Sequence, residues 1–361
     1  MLIKHSSEDF IVEEIPIKEW DISGAYAIFE LTKTNLNTEQ AIDIIINRFH
    51  LTPGIVKYAG SKDKHAKTTQ YISIPNRIGI NKIQLNDTNI KLMHVGYNDE
   101  PLSLGSLKGN KFSITIRELN SDELSFLNSE KLISETTNTS TIKRTFCIPN
   151  YFDEQRFSSN NYNIGLCILK KDYKSVVKYL SENNDLYSEK AKSYLDKNPN
   201  DYVGTLKYIP KKTLLMFIHA VQSYLFNSAL SEILLQSAKE NNVDYNVLSY
   251  SVGNLVFLKN SLDYQTIEKN FTELELIGFN TLNINYNIKK LLDELNLTTR
   301  DFIIRAIPNL SVEGTTRKCI IDVEDLSIII GESDNIAVIK FELPKGSYAT
   351  MVIKALLNSR Y

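Results

Sequence analysis

Residues 111–119 read KFSITIREL. Phe112, Ile114 and Ile116 alternate with Ser113, Thr115 and Arg117, the two-residue period of a strand with one buried face. Working outward, residues 9–14, 25–32, 69–75 and 91–97 read as further strands. Between them a helix is expected over 38–49, capped by Thr38, with Ala41, Ile42, Ile45, Ile46 and Phe49 on one stripe; Pro53-Gly54 stops it. After Leu310 the strand pattern returns at 321–323, 326–330 and 337–343, followed by a short helix over 347–357 with Ser347 as N-cap. The middle is different. Residues 172–184 and 211–240 carry helical period, the second long and amphipathic, and the polar stretch 183–202 reads as a surface excursion. Strand-rich ends around a helical middle predict an α+β chain in which one mixed domain is interrupted by an inserted one.

Composition narrows the function classes. At 361 residues the chain has room for about two domains. No run approaches the roughly 18 apolar residues of a membrane span, and the first residues lack a signal-peptide pattern, so a cytoplasmic protein is expected. Cys147, Cys167 and Cys319 lie far apart with no CxxC pair, and the five histidines have no HExxH spacing, so no metal site is expected. Phosphate-binding GxxxxGK[ST] and hydrolase GxSxG patterns are absent. Forty-one basic against 43 acidic residues exclude a uniformly basic nucleic-acid binder. Positive charge is instead local: residues 57–67 hold four lysines against one acid, and 104–117 hold Lys108, Lys111 and Arg117 with none.

That one acid is Asp63, in YAGSKDKHAKTTQ at 58–70, surrounded by Lys57, Lys62, Lys64, His65 and Lys67. Gly60 permits a tight turn after the apolar run 55–59. A carboxylate on such a loop can act as nucleophile or base while the cations hold phosphates. The same letters also fit a solvated turn in which Asp63 pairs with a lysine. LGSLKGNKF at 104–112 suits a phosphate and a stacked base, or a hairpin turn with Phe112 as its first core residue. IPNYFDEQRF at 148–157 joins Arg156 to aromatics, a pairing that suits RNA or merely a corner between domains. FELPKGSYAT at 341–350 reads as strand, turn and helix cap. Glu13-Glu14 carries no signal in a chain with 43 acids.

Taken in order, these segments resemble the TruD family of pseudouridine synthases. SEDFIVEE (7–14), KTNLNT (33–38), AGSKDKHAKTTQ (59–70), LGSLKGNKF (104–112), PNYFDEQRF (149–157), QSYLFNSAL (222–230) and LPKGSYAT (343–350) follow the family order, spanning about 2–357. The resemblance implies a catalytic domain of pseudouridine-synthase type, an antiparallel sheet with flanking helices, from residues 1–147 and 304–361. It implies a mainly helical α/β insertion over 148–303. The implied activity converts uridine to pseudouridine at position 13 of tRNA, on a flipped-out base, with no cofactor or metal, in a monomer whose partner is tRNA. By position, Asp63 is the implied catalytic aspartate and Phe112 the aromatic that packs on the target base. Asn110 is the polar residue two before it, and Lys4 the basic residue near the carboxylate. Lys62, Gln70 and Arg156 take supporting roles. Asp153 and Ser158 stand where the family usually carries glycine. The competing expectations are an RNA-binding or remodelling protein that has kept the fold, and a hydrolase that releases free uracil.

Overall fold

The computed structural model describes all residues except 1, 78–79, 128–145, 159, 183–186, 260–262, 265–270, 332–334 and 359–361. The chain divides into two compact units, residues 1–146 with 322–349 and residues 147–321 with 350–361. The second crossing thus falls at 321/322, not at 303/304. The reason is local: Thr315–Lys318 pairs with Glu273–Leu276, and Arg317 donates to both the carbonyl and the side chain of Asn150. The last helix, Ala349–Asn358, groups with the second unit, because Thr350 and Lys354 both bond Asp153.

The first unit is built on one sheet. Strands β1 (Leu2–Ile3), β2 (Phe10–Pro16), β3 (Tyr26–Thr34), β4 (Lys57–Tyr58), β5 (Lys67–Pro75), β6 (Leu85–Asp87), β7 (Ile90–Asn98) and β8 (Leu107–Arg117) come first, and Ile320–Ile330 and Ala337–Pro344 are added on the chain's return. Their order is β6-β7-β3-β5-β2-β8, then Ala337–Pro344, then Ile320–Ile330; β1 pairs with β8 and β4 with β5. Only the β2–β5 pair among these registers is parallel. β8 starts four residues ahead of the alternation. There Gly109 passes the opposite strand so closely that a Cβ would overlap the Leu343 carbonyl. The two strands expected at 321–323 and 326–330 are one, irregular between Glu324 and Ser327, with Asp325 at φ 51°.

Register aligns one face of this sheet. Lys33 opposes Thr68, Thr68 opposes Val12, Val12 opposes Phe112, and Phe112 opposes Phe341. Two residues along, on the same face, Leu31 opposes Gln70, and Glu14 opposes Asn110. Helix α1 (Thr38–Arg48) covers the far part of this face. Ala41, Ile42 and Ile45 pack with Phe29, Leu31, Ile72 and Leu92, and Ile46 and Phe49 close the edge. The helix is capped by Asn37, not Thr38. The Asn37 side chain accepts from the Gln40 amide at 2.7 Å, and Gln40 reciprocates on the Asn37 amide. Thr38 is thereby released for another task.

In the second unit the helix Lys211–Glu240 has the expected span, but it is buried over most of its circumference from Leu214 to Ala238, with a narrow stripe through Tyr224, Ser228, Glu232 and Gln236 left more open. It is a central rod of about 45 Å rather than an amphipathic surface helix. Asn161–Leu169, Tyr286–Glu294 and the hairpin Tyr245–Tyr250/Gly253–Leu258 belong to the same unit. The supposed excursion at 183–202 contains a helix, Glu189–Lys197, started by the Ser188 side chain on the Ala191 amide; Asp201 caps Tyr202–Leu206 in the same way. Ser347 does not cap: its buried hydroxyl finds no partner among the described residues.

Candidate active site

The segment between β4 and β5 crosses the aligned face and is tied down at successive residues. The Ala59 carbonyl accepts from the Gly105 amide at 2.8 Å, across a turn that needs Gly105 at φ 86°. The Gly60 carbonyl accepts from Gln70 Nε2 at 3.2 Å. The Lys62 amide donates to Thr38 Oγ1 at 2.9 Å, and that hydroxyl in turn donates to Gln70 Oε1 at 2.9 Å. The Lys62 and Asp63 carbonyls both accept from Lys33 Nζ, at 3.3 and 2.9 Å. The side chain of Lys62 enters the interior and meets Glu14 at 2.6 Å. Burial raises the Glu14 pKa, against the opposing pull of the Lys62 ammonium.

Asp63 itself faces outward. Its side chain is 41% exposed, and among the described residues its carboxylate takes one bond, from Lys4 Nζ at 2.7 Å. Lys4 has left-handed backbone, φ 63°, which costs a non-glycine residue about 1–2 kcal/mol. Its ammonium lies 4.0 Å from the Phe10 ring centroid. Phe10 meets Phe112 edge-on at 6.3 Å, and Phe112 stacks on Phe341 at 5.4 Å. An unbroken path therefore runs Asp63–Lys4–Phe10–Phe112–Phe341. Phe112 is 9% exposed. Asn110 Oδ1, on the same face, is buried without a partner among the described residues, and so is Thr68 Oγ1. Arg117 braces the entrance to β2, donating twice to Asp9 at 3.1 and 2.8 Å; this bond holds the Asp9 carboxyl below its usual range.

The structure thus gathers Asp63, Lys4, Lys62, Gln70, Phe112 and Asn110 in the first unit. Arg156 lies in the second unit, its guanidinium 5.4 Å from the Phe152 ring. The motifs around it are wired into that unit's core. Asn227 bonds both the amide and carbonyl of Phe152, Gln222 donates to the Ile277 carbonyl, and the buried Tyr151 hydroxyl donates to the Val256 carbonyl and accepts from Ser231 and the Val256 amide. Sequence reasoning missed Lys33, Thr38, Glu14 and Phe341 as parts of the site. One signal was present: Lys33 continues the buried stripe of Phe29 and Leu31, and a lysine there requires acceptors.

No described helix is long and apolar enough to cross a membrane, and no described group of three His, Cys, Asp or Glu residues could hold a metal ion. A held carboxylate beside stacked aromatics on a sheet face is equipped for nucleophilic or proton-transfer chemistry on a flat ligand. The fold carrying it is that of a tRNA pseudouridine synthase. A crystal structure from Methanosarcina mazei assigned to tRNA pseudouridine synthase D (TruD) matches with a TM-score of 0.64 over 98% of this chain and 93% of that one, at 24% identity. The family model "tRNA pseudouridine synthase D (TruD)" matches residues 1–193 and 183–356, and the chain belongs to that family. "Probable tRNA pseudouridine synthase D 1" of Methanococcus maripaludis is 32% identical over 99% of this chain and 100% of its own length. "Probable tRNA pseudouridine synthase D 2" of Methanocaldococcus jannaschii is 31% identical over 98% of this chain and 91% of its own. The protein is accordingly an isomerase that forms pseudouridine in tRNA.

Proposed function

We propose that Asp63 is the catalytic carboxylate and that the substrate is a uridine flipped out of the tRNA, at position 13 as the family resemblance implies. The first unit then carries the chemistry, and the second is the family's insertion. The observation that carries this reading is the contrast at Asp63: its carbonyl and the preceding Lys62 main chain are held by Lys33 and Thr38, while among the described residues its carboxylate is open except for Lys4.

Isomerisation breaks the bond from C1′ to N1, turns the uracil and joins C1′ to C5. The C5 hydrogen leaves and N1 gains one, so the nucleoside balances without oxidant or reductant. Asp63 acts on the sugar, either by attack at C1′ or by taking a sugar proton, and Lys4 holds the carboxylate in position. Extruding the base costs about a few kcal/mol. Stacking on the Phe112 edge of the aromatic row offsets roughly 1–3 kcal/mol of that. Asn110 would accept from a base N–H through its Oδ1, which has no partner among the described residues. The test is Asp63→Asn on purified protein with tRNA, read by carbodiimide primer extension. The variant is expected to bind tRNA and form no pseudouridine; turnover near wild type rejects Asp63, and release of free uracil by wild type would replace the isomerase chemistry with hydrolysis.

A further inference from the structure

Lys33 is wholly buried at the end of the Phe29–Leu31 stripe, where an ammonium is costly unless every proton is used. All three are used. Lys33 Nζ donates to the carbonyls of Leu36 at 2.7 Å, Asp63 at 2.9 Å and Lys62 at 3.3 Å. Two of the acceptors belong to the loop that presents Asp63, and the third to the turn leading into α1. None is a side chain, so the bonds neutralise nothing; what they do is fix where the main chain goes.

We propose that Lys33 is a positioning residue for catalysis, a tripod beneath the Asp63 loop whose charged form sets the direction of the carboxylate. This rests on Asp63 being the catalytic group. A neutral amine has two N–H donors and a lone pair, so deprotonation must release one carbonyl and turn a lone pair toward another oxygen. Burial pulls the Lys33 pKa down to about 8, with Asp63 and Glu39 acting to raise it and Lys62 to lower it; these are the charged groups that face it from the loop and from α1. The tripod is therefore expected to hold at neutral pH and to lose a bond as Lys33 deprotonates on the basic side.

The experiment compares wild type, Lys33→Met, Lys33→Arg and Asp63→Asn as full chains. Two readouts are followed from below to above pH 8: kcat with KM on tRNA, and hydrogen exchange at the amides of residues 60–64. Lys33→Met is expected to lower kcat about 10²-fold, the loss that a misplaced reacting group brings, with tRNA affinity unchanged. It should also speed exchange across 60–64 while β3 and β5 keep theirs, and abolish the basic limb of kcat expected of wild type near pH 8. Lys33→Arg keeps its charge to far higher pH and is expected to move that limb out of range. Lys33→Met with wild-type kcat and wild-type exchange overturns the proposal. If Lys33→Met does not fold, wild type alone decides: no step near pH 8 in either kcat or loop exchange is the overturning result. Activity in Asp63→Asn would remove Asp63 from catalysis, and the exchange readout would still decide whether Lys33 holds the loop.

Discussion

Asp63 and Asp153 stand in the same chemical company and end in opposite states. Each is an aspartate within one of the stretches that carry the family resemblance, and each meets a lysine, Lys4 at 2.7 Å and Lys354 at 2.6 Å. Asp153 is also taken by the Thr350 hydroxyl and by the Glu154 amide, and its side chain is 12% exposed. Burial alone would raise its pKa, yet the bonds from Lys354 and Thr350 bring it below the usual range. Asp63 keeps three of its roughly four acceptor positions uncommitted among the described residues and is 41% exposed. A saturated carboxylate is a structural joint; one with capacity left, on an immobilised main chain, can meet a substrate. The comparison also gives a role to Asp153, at a position where the family resemblance led to an expectation of glycine. Its extended backbone, φ −81°, asks nothing of glycine, and its side chain starts the turn Glu154–Phe157 while holding the last helix.

The sharpest way to break this contrast is to treat both aspartates alike. Asp63→Asn is expected to cost about 10²–10⁴-fold or more in kcat with little change in melting temperature. Asp153→Asn should leave kcat of the folded protein intact and remove about 1.5–3 kcal/mol of stability, several degrees in Tm. Reversal of the two patterns would end the distinction. Next come the lysines. Lys4→Met is expected to lower kcat about 10²-fold by freeing the carboxylate, whereas Lys354→Met should register only in thermal melts. Thr38→Val is a smaller test of the frame. It strands the Lys62 amide and the Gln70 carbonyl group, costing about 1–3 kcal/mol by denaturant titration.

The mildest effect is on acid stability. Asp9 and Asp153 have pKa values lowered by folding, so their contribution is fully present above about pH 4, the unfolded value, and is lost as pH falls through the folded one. Asp9→Asn, which removes the bond to Arg117, should flatten the decline in denaturation midpoint below pH 4; an unchanged slope would detach Asp9 from it.

How much of this was legible in the sequence follows from the range of the interactions. Strand β8 and the helix Lys211–Glu240 were visible because period and breakers are local: Ser/Thr alternation in one, Pro210 ahead of the other. Asp63 was visible through its lysine-rich surroundings and the family signature. Thr38 was misassigned because Asn37 and Thr38 are both good caps, and the choice turned on Lys62, 24 residues away. Lys4 needs Asp63, 59 residues distant, to show its purpose. Arg156 and QSYLFNSAL carry polar letters suited to RNA, yet Gln222 and Asn227 spend theirs on the backbone of their own unit.

The seam between β8 and Ala337–Pro344 has a consequence for how the chain is made. It joins eight residue pairs, Phe112 to Phe341 among them, across a gap of 219 residues between Arg117 and Ala337. At ribosomal speeds of about 5–20 residues per second, β8 waits roughly 10–45 seconds for its neighbour to be synthesised. During that interval one side of an apolar strand has unpaired amides and carbonyls, the kind of edge that recruits foreign strands. Lys108, Lys111 and Arg117 along that strand then serve as gatekeepers of a nascent chain, before any nucleotide is bound.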